Sequence, residues 1–131
     1  MRGTPKIFLP LKNFLCYNIT KLFFYLSQAN ELTQQIIAFI FQQGGFAWRA
    51  SSVGIFDQRR GIYRTAPKRG VADVIACYRG ILVACEVKIG KDRLSPEQEG
   101  FLKSVQHAGG LSVVAKDFDQ FKDWWFIHIH A

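Results

Sequence analysis

The chain is short of acid, cysteine and uninterrupted apolar sequence, and each shortage narrows what it can be. Among 131 residues, ten Asp and Glu stand against seventeen Lys and Arg, a formal charge of +7. Such a balance suits a polyanionic partner and otherwise serves as a solubilising surface. Three cysteines make no even disulfide framework, and Cys16, Cys77 and Cys85 have the spacing of no zinc module. They read as small buried hydrophobes of a reducing compartment. The most apolar stretch, residues 6–29, is broken by Lys12, Asn13, Asn18 and Lys21, too interrupted to span a bilayer. Ser27 and Ala29 offer small residues to a signal peptidase, yet the apolar run before them is only Leu22 to Leu26. Internal repeats and low-complexity tracts are absent.

What is present supports one compact domain, because 49% of the residues are apolar or aromatic and general disorder is thereby excluded. Residues 1–28 stand apart as an apolar, basic amino-terminal extension: an arm packing on the domain, a dimerisation arm, or sequence upstream of the working protein. Residues 29–131 form the expected domain. The charge is uneven. Residues 47–70 hold six bases, Arg49, Arg59, Arg60, Arg64, Lys68 and Arg69, against the single acid Asp57, a net of +5.

The acids that follow are placed oddly. The runs VADVIACY and ILVACEVKI meet at Arg79-Gly80, the kind of two-residue break that closes a β-hairpin. If Tyr78 faces Ile81, antiparallel register carries Asp73 opposite Glu86, and alternation puts Lys88 on the same face. Like charges set across from each other destabilise a sheet unless something compensates. A divalent cation would, since hard ions such as Mg²⁺ take one or two carboxylates plus water and phosphate oxygens. Lys88 bridging both acids is the structural alternative. The other face of the hairpin is apolar throughout, so these strands are expected to be central and covered.

Around the hairpin, Asn30 reads as the N-cap of a helix over residues 31–43, with Leu32, Ile36, Phe39 and Ile40 as its stripe and Gly44-Gly45 as its stop. Glu31 falls in its first turn, where the helix dipole alone would favour an acid. FAWRASSV, residues 46–53, reads as a strand with GIYRTA as its return, and residues 65–70 as a basic loop. Ser95-Pro96-Glu97-Gln98 has the order of a capping box and opens a second helix, closed by Gly109-Gly110. LSVVAK, residues 111–116, must then return by a crossover to the sheet. Phe118, Phe121 and Trp125 keep helical spacing, while His128 and His130 read as strand-like or disordered.

In order along the chain, Glu31, the Gly70-Val71-Ala72-Asp73 run, Glu86-Val87-Lys88, Ser95-Pro96-Glu97-Gln98 and HAGGLSVV resemble the virus-type replication-repair nuclease (VRR-NUC) domain of the PD-(D/E)XK nuclease superfamily. The resemblance covers about residues 30–121. It implies an α/β fold, a restriction-endonuclease-like mixed sheet flanked by helices in the order α-β-β-β-α-β. It implies Mg²⁺- or Mn²⁺-dependent hydrolysis of DNA phosphodiester bonds, on branched, flapped or junction DNA in repair, recombination or phage replication. By position, Asp73, Glu86 and the Val87 backbone carbonyl become metal ligands, with Glu31 as an additional acid. Lys88 would hold the attacking water or steady the phosphate, and Gln98 matches an active-site glutamine that the capping box also explains. Arg49, Arg64, Lys68 and Arg69 are candidate DNA phosphate anchors. A homodimer fits a two-fold symmetric junction, no membrane partner is expected, and the compartment would be the cytoplasm of a bacterium or phage-infected host. A restriction-type enzyme with its own recognition sequence and a catalytically silent DNA-binding module are the alternatives.

Overall fold

The computed structural model describes residues 9–50, 55–64 and 68–129, with the backbone alone for residues 9–20, 22, 23 and 55. It is a mixed α/β structure. Helix α1 (Leu9–Gln42) leads into strand β1 (Phe46–Arg49) and a separate small hairpin, β2 (Ile55–Asp57) and β3 (Ile62–Arg64). The strands β4 (Val74–Tyr78) and β5 (Ile81–Val87), helix α2 (Pro96–His107), strand β6 (Leu111–Ala115) and helix α3 (Phe118–Ile129) complete it. The main sheet runs β1-β4-β5-β6, antiparallel except for the parallel β5–β6 pair that α2 connects.

Several local expectations meet their physical causes here. β4 and β5 pair from Tyr78↔Ile81 through Val74↔Cys85, and the turn is closed by Arg79 at φ 49° and Gly80 at φ 78°. Helix α1 ends in a Schellman arrangement, in which Gly45 N–H donates to Ile40 O and Gly44 N–H to Phe41 O, with Gly44 at φ 88°. Its stripe of Leu32, Ile36, Phe39 and Ile40 is buried as the spacing predicts. That stripe covers Val74, Ala76, Val83, Cys85 and Val87 together with Phe121 and Trp125 of α3, whose rings are fully buried. On the other side of the sheet, Leu102 and Val105 of α2 close over Ile75 and Ala84.

Four expectations are corrected. The first helix does not start at Asn30 but passes through it, so Glu31 lies mid-helix and no acid occupies the first turn. The boundary drawn after residue 28 falls inside this continuous helix. GIYRTA does not return against FAWRASSV; Ile62–Arg64 pairs with Ile55–Asp57, because Asp57 accepts the N–H of Arg59 and Arg60 and makes its own tight turn. Residues 51–54 and 65–67 of those segments lie outside the described residues. The element order is therefore α-β-β-β-β-β-α-β-α rather than α-β-β-β-α-β. The end of the chain is helical through Ile129, and His128 Nδ1 meets the Trp124 carbonyl oxygen at 2.9 Å within α3; His130 is outside the described residues.

Candidate active site

The charged residues of the hairpin gather where β4 begins and β5 ends. Beyond the last ladder pair, Val74↔Cys85, the register would set Asp73 against Glu86. Asp73 is held there from two sides: its carbonyl oxygen accepts the Ala50 N–H at 2.9 Å, and its Oδ2 accepts the Val87 N–H at 2.8 Å. The carboxylate thus takes an amide one residue beyond its facing partner and lies beside Glu86. Glu86 is 2% exposed, and Gln98 Nε2 donates to its Oε1 at 2.7 Å. Lys88 Nζ is 3.6 Å from the same Oε1.

Gln98 performs two jobs with one amide. Its Oε1 accepts the Ser95 N–H at 2.9 Å and its own N–H donates to Ser95 Oγ at 3.2 Å, completing the capping box. The remaining nitrogen reaches Glu86. The helix cap and the carboxylate are therefore fixed by the same side chain, so the two readings of this residue are compatible. Gly70 makes this possible. At φ 76° its Cα faces the start of α2, where an added Cβ would stand 2.4 Å from the carbonyl of Glu97 and 2.8 Å from the Gln98 nitrogen. Only a residue without a side chain lets the loop lie against that turn.

Electrostatics follow from this crowding. Burial, and then the Asp73 charge, pushes the Glu86 carboxyl up to about 7, against the opposing pull of Lys88. The Cys85 thiol points to the other face, where burial and then the charges of Asp73 and Glu86 push it far above its ordinary range. A thiol held neutral in this way is no nucleophile. Glu86 Oε2 is buried and has no hydrogen-bond partner among the described residues. An orphaned carboxylate oxygen beside a second carboxylate fits a divalent cation, which would satisfy the oxygen and relieve the repulsion.

The other predicted site residues are distributed differently. Among the described residues no group of three or more His, Cys, Asp or Glu is gathered closely enough for a metal. Glu31 is exposed on α1, whose apolar stripe packs on the Val74 and Val83 face of the sheet. Arg49 pairs with Val74 in register and so also lies on the α1 face, where its guanidinium donates to Asn30 Oδ1. Arg64 is 3.4 Å from Asp57 on the separate β2–β3 hairpin. Lys68 and Arg69 are exposed and directly precede Gly70, which puts them beside the start of α2.

Two contributors were not visible in the sequence. Asp92 Oδ2 lies 3.6 Å from Lys88 Nζ, giving the lysine a second, solvent-exposed acid. Its spacing of four from Lys88 was a signal only if the intervening Gly90 turn were known. A cavity of about 530 Å³ opens next to it, lined by Lys21, Tyr25, Ala29, Val87, Ile89 and Asp92 among others, between α1 and the segment leaving β5. No helix among the described residues is long and apolar enough to cross a membrane. No protein-family model matches the chain, and no curated protein matches it either.

Proposed function

We propose that this chain is a metal-dependent endonuclease that hydrolyses DNA phosphodiester bonds, acting on branched, flapped or junction DNA. The reading includes a VRR-NUC-like domain of the PD-(D/E)XK kind, at work in the cytoplasm of a bacterium or phage-infected host. The observation that carries it is the Asp73–Glu86 pair with an unpartnered buried oxygen on Glu86, flanked by Lys88 and Gln98. Asp73 and Glu86 would hold Mg²⁺ or Mn²⁺, with the Val87 carbonyl as a third donor by resemblance. Bound there, the ion would offset the phosphate charge and make its water more acidic.

The protein's own groups have separate tasks. The Val87 N–H and the Gln98 amide fix the two carboxylates before substrate arrives, so no reorientation is required at the moment of reaction. Lys88 presents an ammonium that Glu86 and Asp92 hold in place, available to a phosphate gaining negative charge. Lys68 and Arg69 anchor neighbouring phosphates from the start of α2. Arg49, which hydrogen-bonds Asn30, and Arg64, which pairs with Asp57, are further phosphate anchors by the resemblance. A homodimer would set two such sites about a two-fold axis, one for each strand of a symmetric junction.

The test is incubation of the purified protein with flap, fork, four-way and linear DNA in Mg²⁺, Mn²⁺ or EDTA. Cleavage of the branched forms in metal alone is expected, reduced by about 10²–10³-fold in Asp73→Ala and Lys88→Ala. Undiminished cutting by both variants would refute the assigned site. A unique short cut sequence on random duplex would favour a restriction-type enzyme, and binding without cutting in every metal a silent module.

A further inference from the structure

On the face of the sheet that carries Asp73 and Glu86, α2 closes over Ile75 of β4 and Ala84 of β5. Beyond Ile75 the same face is exposed at Cys77 and along β1. Phe46 pairs with Cys77 and Trp48 with Ile75, so both rings project to the same face as the acids. Phe46 is 59% and Trp48 45% exposed, and their centroids are 5.6 Å apart. Phe41, at the end of α1, extends the row with its ring 5.9 Å from that of Phe46. Leu82, opposite Cys77, adds exposed apolar surface.

We propose that this aromatic row binds an unpaired stretch of DNA by base stacking and leads it into the site. The inference rests on the nuclease reading and deepens it by naming the substrate feature that is recognised. Three observations favour a nucleic-acid strand as the occupant. The row is continuous with the site: two residues past Trp48, just beyond the end of β1, Ala50 donates its N–H to Asp73 O, about 7 Å further along. Apart from the site's own Asp73 and Glu86, the strands β1, β4 and β5 and the turn between them carry no acid; their other charges are Arg79 and, on the opposite face, Arg49. Finally, flat rings fit the faces of bases, and a duplex keeps those faces buried in its own stack; only a single-stranded segment can use them.

Intrinsic fluorescence tests this without any cleavage, since Trp125 is buried, Trp124 stacks on His128, and Trp48 is the exposed indole on the sheet. Metal-free protein in EDTA is titrated with a twenty-nucleotide oligo(dT) and with a blunt duplex of equal length. Saturable quenching by oligo(dT), weaker binding of the duplex and loss of most of the signal in Trp48→Phe are expected. Measured by anisotropy of labelled oligo(dT), Trp48→Ala and Phe46→Ala should each weaken binding about five- to 150-fold while leaving the melting temperature unchanged. Unchanged oligo(dT) affinity in both variants overturns the proposal. So does light scattering that shows a wild-type dimer converted to monomer by the same substitutions, which would assign the row to a second copy of the chain. The two readings fail separately. Trp48-dependent oligo(dT) binding by a protein that cuts nothing removes the nuclease and keeps the platform; flap cleavage indifferent to both substitutions, with unchanged binding, does the reverse.

Discussion

The two faces of one hairpin are built on opposite principles. Toward α1 and α3, Val74, Ala76, Val83, Cys85 and Val87 meet a closed apolar layer that includes the wholly buried Phe121 and Trp125. Toward α2, the same two strands carry Ile75 and Ala84 under cover, but also two acids and a lysine at one end and bare aromatic rings on the adjoining strand. One face gains its stability from burial; the other holds charge in a place where burial costs free energy. The difference shows how a small sheet holds a strained electrostatic site: the sealed side supplies the rigidity that the open side lacks.

The largest effect should come from breaking the sealed face. Trp125→Ala empties a site packed against Phe39, Tyr78 and Phe121 and should cost about 3–5 kcal/mol, read as a drop in the denaturant midpoint. The open face should respond to pH instead. Glu86 has its carboxyl raised from 4.5 to about 7 in the folded state. Between those values the unfolded chain releases a proton that the folded chain keeps, so stability falls as pH rises through the window and is level on either side. The full contribution is up to about 3 kcal/mol. Glu86→Gln should remove it, so wild type loses ground to this variant from pH 4.5 to 7 in metal-free urea titrations; parallel curves would show that Glu86 is not so perturbed.

Smaller still, and confined to the boundary between helix and site, is the pair Gln98→Ala and Gln98→Glu. Alanine removes half the capping box and should cost about 0.5–2 kcal/mol. Glutamate can still accept the Ser95 N–H but sets a third carboxylate against Glu86. Stability near that of wild type at low pH, with a loss on raising pH that exceeds the alanine variant's, would separate the capping role from the carboxylate contact. Identical pH profiles for the two variants would mean that the Glu86 contact carries no weight.

Much of this is legible in the sequence, for identifiable reasons. The hairpin register needed only Arg79-Gly80 and a regular ladder, and the Ser95–Gln98 box announced α2 together with the glutamine that reaches Glu86. Gly109-Gly110 and the crossover to β6 were equally readable, since turn chemistry and connection length decide them. The extent of α1 was not. Asn30 is a good cap residue in isolation, but here it is bypassed by a helix whose earlier turns contain Lys12, Asn13 and Asn18, residues that weaken an amphipathic pattern without stopping a helix. The face of Arg49 was hidden for another reason: it depends on the pairing of β1 with β4, and a four-residue strand with apolar residues on both faces does not declare its parity.

The continuity of α1 has a mechanical consequence. Its 34 residues make a rod about 50 Å long, of which the stripe from Leu32 to Ile40 is clamped in the core. Further out along the rod, the Tyr25 ring lies so close to Gly90 that a Cβ there would be 3.0 Å from its Cε1, and the chain from Gly90 leads directly to Asp92 and its lysine. One rod is therefore both seated in the core and in contact with the exit of β5, two residues from Lys88.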